Sequence, residues 1–82
     1  METSTEKNVA TLVGQYFVSF KTAREPELLG QVIGEPVFGT YLVQLYRWGD
    51  LTKLEKVLIK LRNMEKFKFY DQTEWETIGK SF

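Results

Sequence analysis

Few side chains in this sequence are equipped for catalysis. Histidine and cysteine are both absent from its 82 residues. Their absence removes the commonest general base, every Ser-His-Asp or Cys-His pair, and any thiolate or imidazole zinc site. Carboxylates and lysines remain as acid–base groups. Glu25, Glu27, Glu35 and Asp50 are the acids that could gather round a cation, but they fall in separate polar stretches without the spacing of a calcium loop. They read as surface charge. The glycines form neither Gly-x-Gly-x-x-Gly nor a Walker sequence, so no phosphate-binding loop is expected. The sequence therefore assigns no catalytic residue, no cofactor and no metal.

Binding chemistry is better represented. The chain has zero net charge, yet Lys53–Lys68 holds six bases and two acids. Such a segment could contact phosphates while the aromatics of the following strand stack on bases. The plainer reading is a solvated face whose charges keep an edge strand from aggregating. The interspersed Glu55 and Glu65 favour that plainer reading. Tyr16, Tyr41, Tyr46, Trp48 and Tyr70 form a second set. They could make an aromatic ligand face of the kind SH3 and Tudor-like barrels offer to peptides or methylated side chains. In so short a chain, filling the core or covering a strand edge is the expectation for most of them. Trp48, next to Arg47 at a strand end, is the one expected to be exposed. The candidate partner-binding residues are thus Tyr46, Arg47, Trp48, Lys66, Lys68 and Tyr70.

The elements that carry these residues read as mostly strands. Leu12 to Lys21 places Leu12, Gly14, Tyr16, Val18 and Phe20 on one face at period two, with Phe17 partly buried on the other. Pro26 marks a loop over 22–27. Leu28 to Gly34 is a second strand, with Gly30 and Gly34 as candidate bends. Glu35 to Gly39 is a turn, and Tyr41 to Trp48, aromatic and branched without a breaker, is a third strand paired to the second. Leu51 to Met64 supports two readings. Leu51, Leu54, Val57, Leu58, Leu61 and Met64 fit an amphipathic helix capped by Asp50, and helical period favours it. The alternative is a strand from Glu55 to Leu61. Lys66 to Tyr70 alternates as a strand with Phe67 and Phe69 on one side. Asp71 then starts a short helix, with Glu74 at capping-box spacing, Trp75 and Ile78 docking it, and Gly79 placed as a C′ glycine.

Length gives one domain, 9–82, after a polar tail over 1–8 that is expected to be disordered. No disulfide can help so small a chain, which must fold on its core or oligomerise. The pool is adequate, at 43% hydrophobic and 15% aromatic residues. No secretory signal and no apolar run long enough to span a bilayer are visible, so a cytoplasmic protein without membrane contact is expected. Five short strands, glycine bends and a short helix predict a mainly β fold, a small SH3-like open barrel.

Gly30-Gln31-Val32-Ile33-Gly34, followed by Gly39-Thr40-Tyr41-Leu42-Val43, resembles the plasmid-encoded type II dihydrofolate reductases, over about 15 residues. The resemblance implies an SH3-like barrel, a tetramer, and a central pore for folate and NADPH. The family's pore run, Val-Gln-Ile-Tyr, has no counterpart at the comparable Lys56-Val57-Leu58-Ile59. Val43-Gln44-Leu45-Tyr46 has similar letters one strand too early. The resemblance therefore lends the barrel and not the enzyme. The wider pattern of Gly-Gln-Val with Gly-Glu-Pro, Tyr-Leu-Val-Gln-Leu-Tyr ending in Trp48, then Met64 and Phe69-Tyr70-Asp71, is similar to a group of small bacterial proteins. In that group Glu55 to Leu61 would be a fourth strand and Arg62 to Glu65 a tight turn.

The expected function is a non-catalytic interaction module that binds a protein through a barrel face or edge strand, or a second copy of itself. Nucleic-acid binding through 53–68 is the alternative, and an oligomeric reductase-like enzyme is the third reading.

Overall fold

The computed structural model describes residues 12–82, so the expected tail over 1–8 lies outside the described residues. The elements run β1 (Tyr16–Phe20), β2 (Pro26–Val37), β3 (Thr40–Tyr46), β4 (Lys53–Lys60), a 3-10 turn (Leu61–Asn63), β5 (Lys68–Tyr70) and α1 (Gln72–Lys80). Every pairing is antiparallel within one sheet, in the order β4-β3-β2-β1-β5. The first four strands follow one another as neighbours and β5 returns to β1. Five antiparallel strands with one short C-terminal helix make the small, mainly β, open barrel that the sequence predicts.

β2 organises the curvature. Its first half, Pro26 to Gln31, pairs with β1, and its second half, from Gly30, pairs with β3. Gly30 sits where the two halves meet. A Cβ there would stand 2.5 Å from the Gln44 carbonyl oxygen and 3.0 Å from the Phe17 ring, so no larger residue fits without moving a strand. Pro36 lies within β2 instead of in a turn. It is tolerated because, among the described residues, no strand on the β1 side reaches that far to receive a donor.

Apolar residues are buried on both faces of the sheet. Inside the barrel lie Phe17, Val32, Tyr41, Val43, Leu45 and Met64. Phe67 stacks on Phe17 with ring centroids 4.3 Å apart. On the outer face α1 covers Val18 and Leu29 with Trp75. The Trp75 indole N–H donates to the Phe17 carbonyl at 3.0 Å, tying helix to strand. β1 is thus buried on both sides, which is why Phe17 is fully buried where partial burial was expected. Asp71 caps α1 as predicted, its carboxylate accepting from the Glu74 N–H at 2.9 Å.

Further sequence expectations change, among them the 22–27 loop, since β2 already begins at Pro26. The helical reading of 51–64 gives way to β4 and the 3-10 turn. Val57 and Ile59 turn inward at period two and pack on the core, whereas Leu54, Leu58 and Leu61, which the helix would have buried, are exposed. Pairing with β3 outweighs helical periodicity here. Gly79 is not a C′ glycine: the helix runs on to Lys80 with Ser81 as its C-cap. Gly79 is instead the close-approach point of α1, where a Cβ would meet Leu51 Cδ2 at 2.7 Å and Leu29 Cδ2 at 2.9 Å.

Candidate interaction surfaces

The six candidate partner-binding residues do not assemble into one site. Tyr46 and Tyr70 are half-buried among the residues that pack under α1, with Tyr46 edge-on to Trp75 at 5.0 Å. Tyr16 lies 4.8 Å from the same indole, and Tyr41 faces the barrel interior. The aromatic set is therefore core and helix seat. Trp48, expected to be exposed, is half-buried between Phe20 and Phe82, with centroids at 5.6 and 5.2 Å. Its indole N–H is buried without a partner among the described residues. The sequence places Trp48 at a strand end but carries no sign that Phe82 folds back onto it.

Arg47 is exposed but committed. Its Nε donates to both Asp50 carboxylate oxygens at 3.1 Å, its Nη2 donates to Asp50 Oδ2, and Asp50 accepts the Thr52 N–H at 3.1 Å. These bonds, Arg47 first, hold the Asp50 carboxyl well below the usual carboxylate range. They also brace a turn in which Leu51 adopts a left-handed φ of 59° and drives its side chain beneath α1. The Gly49 N–H donates to the Gly79 carbonyl at 2.7 Å, so turn and helix lock together.

Gln44 answers the question raised by its resemblance to a pore residue. It is buried in β3, and its amide donates to the Leu45 carbonyl at 3.0 Å and the Leu54 carbonyl at 2.7 Å. That pair of bonds spans the register shift between β3 and β4, which is a structural role. The Tyr41 phenol is held above its ordinary pKa, chiefly by desolvation and then by the nearby Glu35 carboxylate. Glu25, Glu27, Glu35 and Asp50 do not converge. Among the described residues no three acids form a group able to hold a metal ion.

Two surfaces remain open. The first is β4, which among the described residues stands at the end of the sheet and pairs only with β3. Leu54, Leu58 and Leu61 are exposed along and just beyond it, Leu58 at 61%. Leu58 lies opposite Leu42 in register, flanked by Lys56 and Lys60 on the same face. The Leu61 N–H donates to the Gly39 carbonyl at 2.8 Å, bringing the end of β4 beside the β2–β3 hairpin tip. There Phe38 is 97% exposed. Sequence pattern places Phe38 in a turn and carries no sign of what its ring would touch.

The second surface is a cleft of about 580 Å³ between the loop after β1 and the stretch that leads into β5. Phe20 and Phe67 form its apolar walls, and Lys21, Lys66 and Lys68 stand around it with Glu65. A neighbouring cleft of about 350 Å³ shares Glu65, Lys66 and Phe67 and extends past Arg62. Lys66 and Lys68 are thus brought together with Lys21, a residue outside the basic segment that sequence proximity could not reveal. Among the described residues the ion pair is Arg47–Asp50, and Lys21, Arg62, Lys66 and Lys68 hold none.

No helix among the described residues is long and apolar enough to cross a membrane. Compared with family models, curated proteins and solved structures, the chain matches none of them.

Proposed function

We propose that this domain is a non-catalytic interaction module that takes an extended segment of a protein partner on the open edge of β4. The observation that carries this reading is the end strand, paired on one side alone among the described residues, with its exposed leucines beside Phe38. An edge strand offers free backbone donors and acceptors, and a partner strand satisfies them while covering the neighbouring apolar side chains. Burial of Leu58 and Phe38 would contribute about 1.5–3 kcal/mol each. Lys53, Lys56 and Lys60 set three positive charges along β4 against Glu55, which disfavours pairing of two identical edges. The strand order supports an SH3-like reading of the barrel, since the 3-10 turn falls between β4 and β5 and β5 returns to β1. A cytoplasmic setting belongs to the same proposal, in a fold held by aromatic packing.

A photo-crosslinking side chain tests the proposal when placed at Leu58 and, as a control, at the exposed Thr77 on α1. The expected result in the native cell is a discrete protein adduct from position 58 and none from position 77. An adduct at twice the monomer mass would make the partner a second copy. Equal, diffuse labelling from both positions would remove β4 as the binding edge.

A further inference from the structure

The cleft between the loop after β1 and the stretch entering β5 is a surface separate from the β4 edge, and its chemistry points to a different ligand. Phe20, from the cluster under the helix, and Phe67, from the barrel cluster, both line it, and Phe67 is stacked on Phe17. Around this apolar floor stand Lys21, Lys66 and Lys68, and Arg62 lies along the adjoining cleft. None of these four cations is neutralised by an ion pair among the described residues. β1 and β5 stop pairing at Val18 and Lys68, so the strands part there and leave the cleft between them.

We propose that this cleft binds an acidic peptide segment, one apolar side chain lying on Phe20 and Phe67 and flanking carboxylates meeting Lys21, Lys66 and Lys68. Charge complementarity selects the ligand: three lysines face a single acid, Glu65, across the larger cleft. A nucleic acid would meet the same cations. However, one face of Phe67 is already taken by Phe17, which leaves a base little ring to stack on. The apolar floor beneath separated cations suits carboxylates spaced along a peptide better than a continuous phosphate chain.

The test uses the full chain and a fluorescent, end-blocked peptide, Glu-Glu-Leu-Phe-Glu-Glu. A peptide with lysine in place of each glutamate and a twelve-nucleotide oligothymidylate serve as comparisons. Binding is read by anisotropy and by amide shifts. The expected result is that the acidic peptide shifts the amides of Ala23, Lys66, Phe67 and Lys68, that the basic peptide does not, and that affinity falls with salt. Joint Lys66→Glu and Lys68→Glu replacement lowers acidic-peptide affinity at least about tenfold. Both side chains are exposed, so an unchanged urea midpoint verifies that the variant is folded. Tighter binding of the oligothymidylate than of the peptide overturns the proposal in favour of nucleic acid. Equal binding of both peptides, or shifts confined to β4, also overturns it, and the last result would leave the β4 reading standing.

Discussion

Replacing Gly30 by alanine adds one methyl group at the tightest point of the sheet. The new Cβ would stand 2.5 Å from the Gln44 carbonyl oxygen, a backbone atom of the paired β3, and 3.0 Å from the Phe17 ring. Phe17 has no room to swing away, because Phe67 is stacked on its ring and the side chain is fully buried. Overpacking a core costs about 1–3 kcal/mol, and a clash with backbone belongs at the upper end. A loss of about 3 kcal/mol is a large part of the roughly 4–12 kcal/mol expected for a chain of this length. It corresponds to a fall in Tm of roughly 12–24 °C in so small a domain. Gly34→Ala is the matched control. No heavy atom lies within 4 Å of its Cβ position, and its φ is outside the left-handed region. That change should be neutral or stabilise by about 0.4–1 kcal/mol through the unfolded chain. Urea unfolding followed by the emission of Trp48 and Trp75 measures both. At a slope near 1 kcal/mol per molar, Gly30→Ala should lower the midpoint by about 3 M. A Gly30→Ala variant within about 0.5 kcal/mol of the parent, or equal shifts in the two variants, would refute the close approach of β2, β3 and Phe17.

Two further outcomes follow from the same geometry. Trp75→Phe retains a ring but removes the indole N–H that donates to the Phe17 carbonyl. The buried acceptor left behind should cost about 1–3 kcal/mol beyond lost packing, read from thermal melts. Asp50, whose carboxyl is held low by Arg47 and Thr52, contributes stability that is present above its unfolded pKa of about 3.9 and lost as pH falls towards its folded value. Asp50→Asn should therefore be the less stable protein at pH 7, and its deficit should shrink below about pH 4 in urea midpoints taken across that range.

The strands were legible where one side chain type dominates. Tyr41 to Tyr46 carries aromatic and branched residues without a breaker, and Phe67 and Phe69 alternate with lysines, so period and propensity agree there. Segment 51–64 misleads because its leucines are spaced for a helix, yet Leu54, Leu58 and Leu61 are the ones left exposed. A leucine left on the outer face of an end strand looks the same in sequence as one bound for the core. Gly79 misleads for a related reason. A glycine near a helix end fits a cap as readily as a contact, and only the positions of Leu29 and Leu51 decide between them. The cleft was half visible. Lys66 and Lys68 stand out by local charge, but Lys21 joins them only because β5 returns to β1.

That return has a consequence for how the domain comes together and comes apart. The β2–β3 hairpin turns through Phe38 and Gly39, and β4 follows directly, so three strands can assemble from near neighbours. β1 and β5 meet through three residue pairs drawn from opposite ends of the described chain. Loop-closure entropy opposes such a contact most, so it forms late and gives way first. The barrel therefore has a seam, and Trp75 is its clasp. Release of α1 would uncover Val18, Leu29 and Tyr46 while the β2-β3-β4 meander stayed folded. Such a partly opened form presents fresh apolar surface and unpaired strand edges, and its population, more than global unfolding, would set how readily the protein aggregates.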